Sequence, residues 1–205
     1  MHMGSYARVV RTLQPIIVPV CTALQNGLTA SQEIHSDRNL RRRDDPWFYA
    51  HAARRIAVEE LREKGLQAWN EDNDRPELGL SGILMYFQGL AVRVLRASLD
   101  EAENVMIPVP GRSKPRQAFW RQGKGLDQLP GMETDNILLL WHDKEGVLVD
   151  PMLLVRPLGG DHRRDSLRLD WQGKLSRGMA SYRATDLDEF QPDVEYPEMG
   201  GKESG

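Results

Sequence analysis

The sequence predicts an α+β fold in which a mostly antiparallel sheet of about five to seven strands packs against N-terminal helices. Three observations lead there. Helix signals are concentrated in the first third of the chain, ending at Gly65. From Leu66 onward short apolar runs dominate, several with period-two alternation. Two of these runs are divided by Gly89, and two more by Asp143-Lys144-Glu145-Gly146, spacings that suit hairpins.

Taken in order, residues 6–13 and 16–25 can be helical, but Pro15 and Pro19 each disfavour helix at the residue before them, so a kink or break is expected. A second helix starts more clearly. Asp45 can cap it, Pro46 suits its first position, and Trp47, Ala50, Ile56, Ala57 and Leu61 recur near helical spacing as an apolar stripe. Leu66 to Trp69 reads as a short strand and Gly82 to Gln88 as a strong one. In Leu90 to Ala97, Leu90, Val92 and Val94 alternate with Ala91, Arg93 and Leu95. Val105 to Val109 suits an edge strand limited by Pro108, and Pro115 to Gln122 a short helix. Asn136 to His142 and Val147 to Arg156 form the second hairpin. Ser166 to Trp171, with Leu167 and Leu169 alternating against Arg168 and Asp170, adds a last strand. Residues 1–65 are thus a helical region, residues 66–183 a sheet region forming one domain with it, and residues 184–205 an acidic tail.

At 205 residues, 40% hydrophobic and 28% charged, the chain has the composition of a soluble globular domain. No run approaches the roughly 18 apolar residues of a membrane span. The apolar stretch Ile16 to Leu24 is broken by Pro19 and offers no placeable cleavage site, so no signal peptide is expected. The single cysteine, Cys21, excludes an intramolecular disulfide and fits a reducing, cytoplasmic compartment. Charge is uneven. Residues 184–205 carry seven acids against Lys202, a net −6, which leaves +3 on the rest of a chain totalling −3. Such a tail has too little apolar surface to offset ordering entropy, so it is expected to be solvated and disordered.

The main candidate site is the segment from Pro108 to Leu126, which holds Arg112, Lys114, Arg116, Arg121 and Lys124 without one acid and carries Phe119 and Trp120. Cations interleaved with rings suit an anion, a nucleic-acid backbone with unpaired bases, or an acidic partner. The same rings also suit the buried stripe of a short helix. Two further basic groups, Arg38 with Arg41 to Arg43 and His162 with Arg163, Arg164 and Arg168, can join this footprint, although Asp37, Asp44, Asp45, Asp161 and Asp165 partly neutralise them.

Catalytic and metal signatures fail on spacing. The strand pair spanning Gly82 to Ala97 has no acid to start a metal-nuclease motif; Asp143, Glu145 and Asp150 lie on the other hairpin, where Asp143-Lys144-Glu145-Gly146 is first of all a turn. His2, His35, His51, His142 and His162 show no zinc spacing, so no metal ligand set is expected; His142 beside Asp143 is the one acid/base candidate. Ser81 in Gly79-Leu80-Ser81-Gly82 departs from the nucleophile elbow, since a strand follows it. Cys21 reads as a buried thiol, Gly159-Gly160-Asp161 lacks the lysine of a phosphate loop, and no cofactor is expected.

The layout of Leu129-Pro130-Gly131-Met132, NILLLWHDKEGVLVD, MLLVRPLGG and LRLDWQGKL resembles that of small bacterial and phage proteins carried on mobile elements near repressor genes. The resemblance covers roughly the C-terminal half, transfers no functional residue, and implies a setting: a toxin, an antitoxin or a partner of a repressor. Two hypotheses follow. The first is a regulatory protein that binds a protein partner, with nucleic-acid contact through Arg112, Lys114, Arg116, Arg121 and Lys124, no membrane contact, and a homodimer left open. The second is an enzyme with a cryptic hydrolase or nuclease site.

Overall fold

The computed structural model describes residues 4–41, 43–70, 82–100, 105–108, 114–122, 135–160, 167–188, 192 and 194–195. Its first element is one unbroken helix, α1 (Tyr6–Asp37), with Pro15 and Pro19 inside it. The expected break is therefore corrected. Each interior proline costs about 3 kcal/mol locally. Against this, Val9, Val10, Leu13, Ile16, Ile17, Val20, Leu24 and Leu28 are all buried along one face. At roughly 1.5–3 kcal/mol per buried aliphatic side chain, that face outweighs both prolines. α1 is also long and apolar enough to cross a membrane, and half of its most apolar window is buried in the fold.

α1 ends in a left-handed cap. Asn39 takes φ 53°, its N–H donates to the Ser36 carbonyl at 3.0 Å, and the Leu40 N–H donates to the His35 carbonyl at 2.8 Å, the Schellman arrangement that satisfies the last carbonyls. The chain then reverses into α2 (Pro46–Glu63), where the Asp45 carboxylate accepts from the Phe48 N–H at 2.9 Å, as the capping signal predicts. The helices cross closely. Gly27 of α1 lies against Ala53 of α2, and the Ser31 hydroxyl donates to the Tyr49 carbonyl at 2.9 Å. The buried stripe of α2 is Tyr49, Ala53, Ala57, Val58 and Leu61. Trp47, expected in that stripe, is instead exposed.

The main sheet has seven strands in the order β1 (Ala68–Asn70), β2 (Ile83–Phe87), β3 (Leu90–Arg96), β6 (Asp135–Trp141), β9 (Met152–Gly159), β10 (Arg168–Leu175) and β11 (Val194–Glu195). Every neighbouring pair is antiparallel except β3 with β6. The fold class is α+β with a mostly antiparallel sheet. The β2–β3 hairpin turns through Gln88 (φ 48°) and Gly89 (φ 82°), two left-handed residues whose twist matches that of the strands.

Between β6 and β9 the chain makes a small hairpin of its own, β7 (Asp143–Lys144) with β8 (Val147–Leu148), turning at Glu145 and Gly146. The single strand expected over residues 147–156 is thus split around Pro151. This hairpin is fastened to α1: Gln25 donates to the Gly146 carbonyl at 3.0 Å and accepts from the Leu148 N–H at 2.8 Å, while Gln32 donates to the Glu145 carbonyl at 3.0 Å.

One face of the sheet, with Ile83, Met85, Val92, Val94, Ile137, Leu139 and Leu154, packs on α1 and α2. The other carries Leu84, Ala91, Leu138, Leu140, Leu153 and Val155. A parallel pair needs a crossover, and the residues between β3 and β6 supply both a separate hairpin of β4 (Ser98–Asp100) with β5 (Val105–Ile107) and the short helix α3 (Lys114–Phe119). The acidic stretch is ordered where it begins. Leu187 of α4 (Ala184–Asp188) is buried and β11 pairs with β10, correcting the expectation of disorder from residue 184; residues 196–205 lie outside the described residues.

Candidate functional site

The segment singled out by charge is anchored to the second core. Trp120 is 0% and Phe119 2% exposed, packed with Leu84, Leu138, Leu140 and Val155. The Arg93 guanidinium lies over the Phe119 ring at 5.8 Å from its centroid. Gln122 completes the anchor. Its side-chain amide donates to the carbonyls of Asn136 (2.8 Å) and Pro157 (2.7 Å) and accepts from the Asn136 N–H at 3.0 Å, while Asn136 Nδ2 donates to the Phe119 carbonyl at 3.0 Å. Pro157 has no N–H, so the β6–β9 ladder stops short of it and the Gln122 amide spans the gap. Phe119 and Trp120 are therefore unavailable for stacking on a ligand. Arg121 is exposed, Lys114 and Arg116 sit on α3, and Arg112 and Lys124 lie outside the described residues, as do His162, Arg163, Arg164 and Ser81.

The most exposed ring among the described residues lies elsewhere, at the corner between α1 and α2, next in sequence to a run of arginines. Residues 37–55 hold six arginines against three aspartates, a net +3 in a chain of −3. The Schellman cap and the Asp45 cap fix both ends of the connection, and between them Arg38, Arg41 and Arg43 all point into solvent. Asp45 is committed to the helix start. Arg43 meets Asp44 only at 3.9 Å, with both side chains largely exposed, a contact worth little in water. Arg38 and Arg41 make no ion pair among the described residues.

Beside them Trp47, in the first turn of α2, is 69% exposed. Its ring is stacked on His51 one turn later, with centroids 5.1 Å apart and planes at 11°. His51 Nδ1 in turn lies 2.8 Å from Arg54 Nη2. A guanidinium can only donate, so Nδ1 is the acceptor in this contact. Trp47, His51 and Arg54 follow one another at i, i+4 and i+7, away from the buried stripe. Beneath the corner His35 is buried, donating from Nδ1 to the Ser31 carbonyl at 2.7 Å and packed on the rings of Phe48 and Tyr49. An aromatic plane held flat by its neighbours, next to unengaged cations, can take a planar apolar group and an anion together.

Two of the acids raised as metal-nuclease candidates are occupied structurally. The fully buried Asp143 carboxylate pairs with Arg96 at 3.3 Å and accepts from the Gly146 N–H at 3.1 Å, and Asp150 accepts from the Arg177 N–H at 3.1 Å. No metal-holding group of His, Cys, Asp and Glu occurs among the described residues. Burial pushes the Cys21 thiol up to about 11, with the Asp150 charge adding to the rise. One charged cluster has no sequence signal: Arg156 bridges Asp135 at 2.9 Å and Asp170 at 2.5 Å, and burial holds the Asp135 carboxyl above its ordinary value against the pull of Arg156. No known family model, curated protein or solved structure matches the chain.

Proposed function

We propose that this chain is a regulatory interaction protein that acts by holding an anionic macromolecular partner, with the α1–α2 corner as its recognition surface. The observation that carries this reading is Trp47, an indole 69% exposed yet fixed in orientation by His51, next to Arg38, Arg41 and Arg43. Trp, Tyr and Arg are enriched where binding energy concentrates, the first two because they offer a large, rigid contact plane and Arg because its planar fork donates several hydrogen bonds. A solvated charge run needs no such ring. The layout of the C-terminal half supplies the setting, a toxin–antitoxin or phage-immunity system; an acidic protein face and a nucleic acid both meet the corner's chemistry.

The test is salt elution from an immobilised polyanion such as heparin, comparing the wild type with Arg38→Ala/Arg41→Ala/Arg43→Ala and with Arg112→Ala/Lys114→Ala/Arg116→Ala/Arg121→Ala. The corner variant should elute at clearly lower salt. Elution of the corner variant with the wild type, while the other variant elutes earlier, moves the recognition surface to the α3 segment.

A further inference from the structure

We infer that the ligand of the α1–α2 corner is an unpaired nucleic-acid strand, one base of which stacks on the open face of Trp47 while Arg38, Arg41 and Arg43 hold its phosphates. This rests on the corner being the recognition surface, and it names the ligand class. The geometry favours a strand over an acidic peptide. A carboxylate needs cations or N–H donors and has no use for a ring, and an apolar peptide side chain is gripped best in a concave pocket. Trp47 instead presents a flat plane, backed at 5.1 Å by an imidazole parallel to it within 11° and steadied through that imidazole by Arg54 at 2.8 Å. One face of the indole is already used by the stack; with 69% of the residue in solvent, the other is open. Every base has a π-face, so such a platform takes bases without reading their edges, and a duplex, whose bases are covered by their neighbours, cannot use it.

Charge and plane are placed together. The cation-bearing connection runs directly into the helix turn that carries the ring, since Arg43 and Trp47 are separated only by Asp44, the capping Asp45 and Pro46. On this inference a backbone held by Arg38, Arg41 and Arg43 brings its next base to Trp47.

The experiment is fluorescence anisotropy at low and raised salt with three labelled probes: a short oligothymidylate, a duplex of the same length, and a glutamate-rich peptide. The proteins are wild type, Trp47→Ala, Trp47→Phe and Arg38→Ala/Arg41→Ala/Arg43→Ala. Oligothymidylate should bind and quench tryptophan emission. Trp47→Ala should weaken it by about 5- to 150-fold, the range for loss of one stacked base, with Trp47→Phe recovering part of the loss. The triple variant should flatten the log–log salt slope by about 2, for three phosphate contacts on a single strand. Equal affinity for duplex and strand, or strand binding untouched by Trp47→Ala, overturns the inference. If the peptide binds at the corner and the strand does not, the inference falls and the corner reading stands. If neither probe binds, both fall. Trp47 and these arginines are exposed, so unchanged melting of the variants separates lost binding from lost fold.

Discussion

Gly27→Ala tests the packing on which the corner depends. A Cβ at this position would stand 3.0 Å from the Ala53 carbonyl carbon and closer still to its oxygen. That oxygen is the limiting contact and needs more than about 3 Å, so α2 must recede by roughly 1 Å, a gap that forfeits about half of each contact's attraction across the crossing. The atoms lost are those that Tyr49, Ala53, Ala57, Val58 and Leu61 turn toward the core. Overpacking of this kind costs about 2–3 kcal/mol, and the better helix propensity of alanine returns about 1 kcal/mol, for a net loss of about 1–2 kcal/mol. For a chain of this size that lowers Tm by about 2–8 °C. The assay is thermal unfolding by circular dichroism, with Glu33→Ala, exposed on the same helix, as a control expected within about 0.5 kcal/mol of wild type. The Trp47–His51–Arg54 stack lies within α2, so quenching of Trp47 by acrylamide should be unchanged. A Tm equal to or above that of wild type refutes the close crossing.

Three further outcomes follow from local geometry. Gln88 sits at φ 48° ahead of Gly89, so Gln88→Asn, which tolerates the left-handed region, should stabilise by about 0.5–1 kcal/mol in denaturant titration. Burial raises the Asp135 carboxyl, so the folded state holds that proton longer than the unfolded one; this contribution to stability is present below the unfolded value and lost as pH rises through the folded one. Asp135→Asn should therefore lose less stability than wild type between pH 4 and 7, a relative gain of about 1.4 kcal/mol for each tenfold by which folding tightens the carboxyl's hold on its proton, and a steeper loss would contradict the burial argument. The Cys21 thiol, raised to about 11, should react with a thiol reagent only on unfolding, and above the ordinary thiol range its protonation preference should make wild type lose stability with rising pH more steeply than Cys21→Ala.

The fold was largely legible because its strands are short, apolar and divided by glycine turns, and because Asp45-Pro46 marks a helix start. Two features were hidden. The parallel pairing of β3 with β6 joins residues far apart in sequence and leaves no local trace, and it decides the fate of Phe119 and Trp120: a crossover has to cover the second face of the sheet, and α3 does so with those rings. The unbroken α1 was hidden because proline propensity is local whereas the burial that overrides it is tertiary. At the corner, the acids Asp37, Asp44 and Asp45 made the arginines look neutralised, yet Asp45 is spent on capping Phe48. The available signal was the phase of α2. Tyr49, Ala53, Ala57 and Leu61 recur at i, i+4, i+8 and i+12, a stripe from which Trp47 is excluded.

That exclusion separates residues that hold the fold from residues free to hold something else. Trp120 has no exposed surface and fills the core between β2, β6 and β9, so Trp120→Ala should cost about 3–5 kcal/mol and take with it the α3 segment that Gln122 and Asn136 pin in place. Trp47 leaves 69% of its surface in water and loses only a stack on His51, so Trp47→Ala should stay within about 0.5 kcal/mol of wild type in denaturant titration. That outcome is what the proposed recognition role of the corner requires, since the ring would then serve a contact outside the fold. If Trp47→Ala instead unfolds the protein as readily as Trp120→Ala, the ring is structural, and the corner loses its claim to be a recognition surface.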